Sequence, residues 1–437
     1  MIKPLRIGIA GLGTVGAGVV KILAARRDYL AAACGRAIEL VAVSARDRQK
    51  DRGIDLSGVR WVDDAMALAA ADDIDLVVEL IGGSEGIARA LLEAALKAGK
   101  HVVTANKALV AHHGTALARL AEQANVALNY EAAVAGGIPI VKTMREALAG
   151  NEIRSIRGIL NGTCNYILTE METTGRDFAD VLKDAQDLGY AEADPTFDVG
   201  GIDAAHKLAI LATLAFGTEV DFGNVHIEGI EKISATDIAF ARDFGFKVKL
   251  LAIAEKADGG IVQRVHPALV PDGTPLAAVS GVYNAVAVDG DRVGHLVLEG
   301  RGAGEGPTAS AVLSDLVDIA RGLIVPPFVV PAASLKAPAK PLMDAHRSSF
   351  YLRLRAVDRA GSMAEITRAL AEASISIERI VQRGEPEKKG GEGRLPVVFI
   401  THRTDESTMA RARTLLAKHE DVAGTPLVIR IEDGELR

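Results

Sequence analysis

Hydrophobic and polar positions along the first 135 residues follow two rhythms in turn. Arg6–Ala10 is a mostly apolar run leading into glycines, and Ile38–Val43, Asp75–Leu80, His101–Thr104 and Val126–Tyr130 are short strand-like runs of similar kind. Between them, Val15–Leu30, Ile87–Ala98 and Ala108–Ala124 carry apolar residues at helical spacing. Short apolar strands alternating with helices read as βαβ units, and so as an α/β, doubly wound parallel sheet over residues 1–135.

The rhythm changes over 136–324. A helix is expected at Pro139–Ala149, a strand at Ser155–Leu160, and one long helical block at Tyr166–Phe216. Strand-like runs follow at Lys247–Glu255, Ile261–Val270, Val282–Val288 and Val293–Leu298, joined by glycine turns. This predicts an α+β unit whose sheet carries substrate groups and dimer contacts. The glycine-rich loop Gly300–Gly306 leads into a helix at Thr308–Arg321. Pro326, Pro327, Pro331, Pro338 and Pro341 then mark a linker over 325–348, because such density disfavours regular structure. Beyond it, Phe350–Val357, Ser376–Gln382, Leu395–His402 and Leu427–Glu432 read as strands, with helices at Met363–Glu372 and Glu406–Lys418. That is βαββαβ, a small independent domain over 349–437. Pro386–Gly393 within it reads as a mobile loop.

Composition narrows the class. Hydrophobic residues are 49% and charged residues 24% of the 437, which fits a folded globular chain of about three domains. The net charge of -7 excludes the basic stripe of a nucleic-acid binder. The two cysteines, Cys34 and Cys164, are too few for a disulfide framework and fit a reducing compartment. The chain enters a strand almost at once, without the apolar stretch of a signal peptide. Its longest apolar helical stretch, Leu208–Phe216, is too short to span a bilayer. These features place it in the cytoplasm, with no membrane partner.

Gly11-Leu12-Gly13-Thr14-Val15-Gly16 is G-x-G-x-x-G between a strand and a helix. The first glycine permits the tight turn, the second lets a pyrophosphate approach the backbone, and the third lets helix and strand pack closely. The phosphates then face a helix N-terminus, where free N–H groups and the helix dipole favour anions. The coenzyme's 2′ group should lie past the second strand. An NAD site usually has Asp or Glu there; here Ser44-Ala45-Arg46 is followed by Arg48, and a guanidinium suits a 2′-phosphate. NADP is therefore expected, with Asp47 keeping NAD open.

The densest chemistry lies between Gly189 and Lys207. It holds Glu192, Asp194, Asp198 and Asp203, and Asp203 and Lys207 are spaced i,i+4 on one helix face. Spacing alone fits a surface ion pair equally well. A second lysine, Lys107, follows a strand of the nucleotide unit near the sheet edge where ligands bind.

These residues carry a resemblance. GIAGLGTVGAG, VVELIGG, HVVTANKALVAHHG, YEAAVAGGIPI, ILNGTCNYIL, GYAEADPTFDVGGIDAAHKLAIL and GRGAGEGPTASAVLSDL, spread over residues 8 to about 317, resemble the monofunctional homoserine dehydrogenases with a C-terminal ACT domain. The resemblance implies a Rossmann-type nucleotide domain, completed by a return helix near 307–322. It also implies a substrate and dimerisation domain and an ACT-like βαββαβ domain. It implies reversible NAD(P)H-dependent reduction of L-aspartate 4-semialdehyde to L-homoserine, in the biosynthesis of threonine, methionine and isoleucine. Lys207 matches the family's proton donor, and Lys107 the lysine that contacts cofactor and substrate, with Thr104 beside it among the cofactor contacts. Glu192 and Asp203 match substrate-binding carboxylates, with Asp198 in the same cluster. Glu131, Val134, Gly136 and Ile138 match a loop that holds a monovalent cation, usually sodium; hard oxygen ligands suit such an ion. Gly304 lies in a loop that touches the cofactor, although Glu305 stands where many relatives have a small residue. The turn Asp358–Met363 matches the ACT segment that takes regulatory amino acids, which implies control by L-threonine in a homodimer or homotetramer.

The chemistry supports those roles. An α-ammonium needs carboxylate partners, and an aldehyde oxygen gaining negative charge needs a nearby cation able to hand over a proton. Two converging lysines depress each other's pKa while Asp203 opposes the shift. Two other readings remain: an NADP-linked semialdehyde enzyme using Cys164 as nucleophile, and a catalytically silent amino-acid sensor. A reactive thiol needs a lowered pKa, and no histidine is near Cys164 in sequence.

Overall fold

The computed structural model describes residues 3–257, 259–338, 343, 346–383 and 393–432. Pro341 and all but the last residue of the expected loop Pro386–Gly393 lie outside them.

The N-terminal strands form a six-stranded parallel sheet. In spatial order it runs Arg60–Trp61, Ile38–Ser44, Leu5–Ala10, Leu76–Glu79, His101–Thr104, Leu128–Asn129. Its central strands are buried on both faces, which is why they read as continuous apolar runs rather than alternating ones. The helix expected at Val15–Leu30 is two helices, Thr14–Ala25 and Arg27–Cys34, broken at Arg26 (φ −120°). The helix after the glycine-rich loop spans Glu305–Ala320 and packs on Thr14–Ala25. A Cβ on Gly18 would meet the Ala309 side chain at 3.1 Å, so glycine sets how closely these helices approach.

The expected helical block Tyr166–Phe216 is four helices: Gly162–Thr174, Phe178–Asp187, Thr196–Val199 and Ile202–Phe216. Gly175 and Gly201, at φ +70° and +83°, supply left-handed turns that end one helix and begin another. Ile202–Phe216 is buried almost all round, so its apolar residues show no one-sided stripe. Pro139–Ala149 is a short helix, Ile140–Lys142, continued by a π-helical turn, Thr143–Ala147.

Two features of the C-terminal half tie it to the rest of the chain. The proline-rich segment is fastened to the body: Phe328, Ala332 and Leu335 are buried, and the Tyr130 hydroxyl donates to the Pro327 carbonyl at 2.6 Å. The C-terminal unit has a core of its own around Phe350, Ile366 and Phe399, and it also joins the substrate sheet. Its last strand, Leu427–Ile431, pairs antiparallel with Arg347–Val357 of its own unit and parallel with Gly260–Pro271 of the substrate sheet. The result is one eleven-stranded mixed sheet with a shared hydrophobic core, in which Tyr351, Ile429 and Ile431 join residues of the helix Ile202–Phe216.

Charged groups seal that junction. Arg264 donates to Glu255 at 2.6 Å and to Glu432 at 3.2 Å. Arg430 pairs with Glu406 and, at 2.9 Å, with Glu228. Asp237, buried at the start of the helix Ala235–Asp243, accepts from the Tyr351 hydroxyl at 2.9 Å and from Arg353. Buried carboxylates are tolerated only with such partners.

Candidate active site

A cavity of about 710 Å³ is lined from both the parallel-sheet unit and the substrate unit. Lys107, Glu192, Asp198, Asp203 and Lys207 all line it, so residues up to a hundred positions apart meet at one site. Lys107 begins the helix Lys107–Ala124, whose cap Asn106 accepts from the Leu109 N–H at 3.1 Å. Asp203 and Lys207 stand on the first turns of Ile202–Phe216, just after the left-handed Gly201.

Asp203 is the hub. One of its oxygens lies 3.0 Å from Lys107 Nζ; the other accepts from Lys207 Nζ at 2.7 Å and from Asn161 Nδ2 at 2.8 Å. Lys207 Nζ also donates to the Leu160 carbonyl at 2.6 Å. Burial alone would raise the Asp203 carboxyl's pKa, but the two lysines and Asn161 outweigh it and hold the group well below the carboxylate range. The lysines diverge. Burial lowers Lys207, against the pull of Asp203. Asp203 raises Lys107, whose side chain is 35% exposed. Asp198 is raised by burial, partly offset by the Asn161 hydrogen bond at 2.7 Å. Glu192 is exposed on the cavity wall.

Asp203 and Glu192 both line the cavity, but in different states: the oxygens of Asp203 already accept from the two lysines and Asn161, whereas Glu192 is exposed.

Asn161 was missed by sequence reasoning. It caps the helix Gly162–Thr174, accepting from the Cys164 N–H at 2.8 Å, while its amide nitrogen bridges Asp198 and Asp203. The available signal was an Asn directly before a helical run, a strong N-cap preference. Cys164 is fully buried; its thiol donates to the Asp198 carbonyl at 3.2 Å, and burial pushes its pKa well up. A thiol held protonated in this way is a packing residue, which removes the support for a cysteine nucleophile.

The glycine turn fits a dinucleotide. Gly11 sits at φ +100°, and a Cβ there would lie 2.5 Å from the Leu80 carbonyl oxygen. A Cβ on Gly16 would lie 2.1 Å from the Gly11 carbonyl oxygen. At Gly13, the cap of Thr14–Ala25, nothing lies within 4 Å of that position, leaving the backbone open to an approaching phosphate. Val15 and Gly304 (φ +111°) line the cavity; Glu305 turns to Lys21, 2.8 Å away. Thr104 is not brought into the cavity. It is fully buried, its hydroxyl donating to Glu79 at 2.6 Å, and Glu79 in turn accepts from the N–H groups of Ile81 and Gly82. Arg46 is exposed past the strand Ile38–Ser44.

The loop expected to hold a cation is partly engaged. The Glu131 carboxylate accepts from the Val141 and Lys142 N–H groups at 2.9 and 2.8 Å, and burial beside Asp315 pushes it up to about 7. The Ile138 carbonyl accepts from Ile140 at 2.7 Å. The Val134 and Gly136 carbonyls take no backbone N–H among the described residues. Gly136 lies at φ +51°, hard against Gly302. No cluster of three His, Cys, Asp or Glu residues able to hold a metal occurs among the described residues. No helix among them is long and apolar enough to cross a membrane.

Comparison with known proteins identifies the family. Family models match in three stretches: the homoserine dehydrogenase NAD-binding domain over residues 11–131, homoserine dehydrogenase over 139–317, and the ACT domain over 350–421. The chain is 44% identical to a homoserine dehydrogenase of Neisseria gonorrhoeae, covering 98% of this chain and 99% of that protein. Its fold matches the crystal structure of a homoserine dehydrogenase from Thiobacillus denitrificans with a TM-score of 0.92 at 43% identity, over 99% of both chains. A hyperthermophilic archaeal homoserine dehydrogenase in complex with NADPH matches at a TM-score of 0.64 and 26% identity, covering 74% of this chain and all of that one. A glycine turn open to phosphate, two lysines sharing one buried carboxylate, and full-length likeness to these enzymes converge on one conclusion: the chain belongs to the homoserine dehydrogenase family, NAD(P)-dependent oxidoreductases, and carries a C-terminal ACT domain.

Proposed function

We propose that Lys207 and Lys107, held by Asp203, perform the proton chemistry in the reversible conversion of L-aspartate 4-semialdehyde to L-homoserine. The observation that carries this reading is the pair of lysines on one carboxylate at the cavity wall. The bound coenzyme supplies or accepts the hydride. Lys207, its pKa lowered by burial, gives its proton to the oxygen as negative charge develops there. Lys107, its pKa raised, stays charged and stabilises that oxygen electrostatically. Glu192, with Asp198, receives the α-ammonium. The α-carboxylate meets the N-terminus of the helix Gly162–Thr174, where Gly162 and Thr163 line the cavity.

NADP is the preferred coenzyme in this reading. Arg46 and Arg48 are exposed past the second strand, while the carboxylate of Asp47, also exposed, accepts from the Gln49 and Lys50 N–H groups at 2.8 and 3.2 Å. The archaeal relative is described with NADPH. A monovalent cation, sodium by its preference for oxygen, would be held by the carbonyls of Glu131, Val134, Gly136 and Ile138 rather than by the Glu131 carboxylate. L-threonine acts at the C-terminal unit of a homo-oligomer, and the two free, buried cysteines suit a reducing cytoplasm.

The test is homoserine-dependent reduction of NADP+ and of NAD+, with and without threonine. Homoserine-dependent reduction, faster with NADP+ and slowed by threonine, is expected. A folded protein that reduces neither coenzyme overturns the reading.

A further inference from the structure

We infer that Arg52 is a positioning residue for coenzyme choice, bracing the loop that presents Arg46 and Arg48 to the 2′-phosphate of NADP. This rests on the NADP reading above and names the group that shapes the site.

The Arg52 guanidinium is spent on three backbone carbonyls. Nε donates to Leu12 at 3.0 Å, Nη1 to Lys50 at 2.7 Å and Nη2 to Asp47 at 2.5 Å. Leu12 lies in the glycine turn; Asp47 and Lys50 lie in the loop after the second strand. One side chain therefore ties the pyrophosphate turn to the loop that faces the 2′ position. Only a planar fork of five N–H donors can hold three carbonyls from two segments this way; an ammonium on a flexible stem has no such fixed geometry.

The loop's charges are sorted by sign. Asp47, Asp51 and Asp55 each accept from backbone N–H groups in their own turns: Gln49 and Lys50, Gly53, and Ser57. No carboxylate among the described residues pairs with Arg46, Arg48 or Arg52. Arg48 and Arg52 instead both lie over the ring of Trp61, 5.9 and 5.7 Å from its centre. Gathered cations whose nearby carboxylates are taken up by backbone N–H groups repel one another until a dianion arrives, and a 2′-phosphate is such a group.

The test needs no turnover. Trp61 is the chain's single tryptophan, so its emission reports on this loop. Titrating the protein with 2′,5′-ADP and with 5′-AMP gives the preference for the 2′-phosphate as a ratio of dissociation constants. Wild type is expected to favour 2′,5′-ADP. Arg52→Ala should lower that ratio by about tenfold, the equivalent of ~1.4 kcal/mol, with 5′-AMP affinity little changed. Arg52→Lys should fail to restore it, and NADP+ against NAD+ should follow the same order in kcat/KM. Equal weakening of both ligands in Arg52→Ala would make Arg52 a support of the glycine turn only, and rescue by Arg52→Lys would make it a bare charge; either result overturns the brace. A wild type that favours 5′-AMP overturns the NADP reading itself, and the brace with it.

Discussion

Two buried ionic clusters in this chain are built from similar charges and behave differently. At the catalytic centre a single carboxylate, Asp203, is shared by two lysines and faces a cavity. At the junction with the C-terminal unit the cations are arginines, each gripped by two carboxylates: Arg264 by Glu255 and Glu432, Arg430 by Glu228 and Glu406. Lysine gives up a proton when desolvated; arginine in a protein does not. In the proposed mechanism the first cluster exchanges protons, while the second holds two parts of a sheet in register. Both are buried ion pairs, and cation type and supply of carboxylates separate chemistry from structure.

The largest effect that would break the comparison is at Lys207. Lys207→Ala should lower kcat by about 10²- to 10⁴-fold, the range of general acid–base catalysis, with coenzyme binding by fluorescence titration unchanged. Lys207→Arg sharpens the point: it keeps the positive charge yet should recover little turnover. Normal activity in either folded variant would show that Lys207 does not carry the proton.

Next is the junction. Arg264→Leu strands Glu432 in the core and should cost roughly 3–5 kcal/mol in thermal or denaturant unfolding, while Arg264→Leu with Glu432→Leu should recover most of it. A double variant no more stable than the single would mean that the pair is not what Arg264 contributes.

Acid should separate the clusters further. Burial and the nearby Arg264 lower His346 to about 4; burial and Arg430 lower His266 to about 3. Glu432 is lowered to about 2, because Arg264, His266, Arg157 and His346 together more than offset burial. All three lie below the ordinary values of 6.5 for His and 4.5 for Glu. Between the folded and ordinary values the unfolded chain binds more protons. Stability present above pH 6.5 therefore falls as pH drops, first through the histidine windows and then through that of Glu432, which is worth about 3 kcal/mol alone. Hydrogen exchange of Leu427–Ile431 should accelerate over this range before that of Ile202–Phe216. Simultaneous loss of protection would make the junction no weaker than the centre.

The smallest expected effect is at Cys164, whose thiol donates to the Asp198 carbonyl beside the two lysines and has no part in the proposed mechanism. Cys164→Ser should change kcat less than about fivefold, roughly 1 kcal/mol. Abolished turnover in a folded variant would revive a thiol mechanism.

Five of the six strands of the parallel sheet and the glycine turn were legible because local sequence decides them: apolar runs, and glycines where a Cβ would strike the backbone at Gly11 and Gly16; the two-residue edge strand Arg60–Trp61, neither residue of it buried, was not. Lys107, Asp203 and Lys207 were legible as chemistry but not as geometry. Spacing puts Asp203 and Lys207 on one face, yet only the fold shows that Lys107 takes the other oxygen of Asp203. Asn161, Glu79 and Arg52 escaped because each acts through partners far along the chain, at Asp203, Thr104 and Leu12. The junction escaped for the same reason. Nothing in the alternation of Leu427–Ile431 says that its second edge is taken by Gly260–Pro271.

That strand also sets an order of events during synthesis. Leu427–Ile431 is the last strand of the eleven to be made, yet it sits inside the sheet, between Gly260–Pro271 and Arg347–Val357. Until it emerges from the ribosome, Ala268 and Leu269 present an open edge, a template for pairing with another chain. A chain cut short before residue 427 is therefore expected to be prone to aggregation rather than to be an enzyme freed of its regulator. Residues far from the catalytic lysines thus decide whether the newborn protein stays soluble.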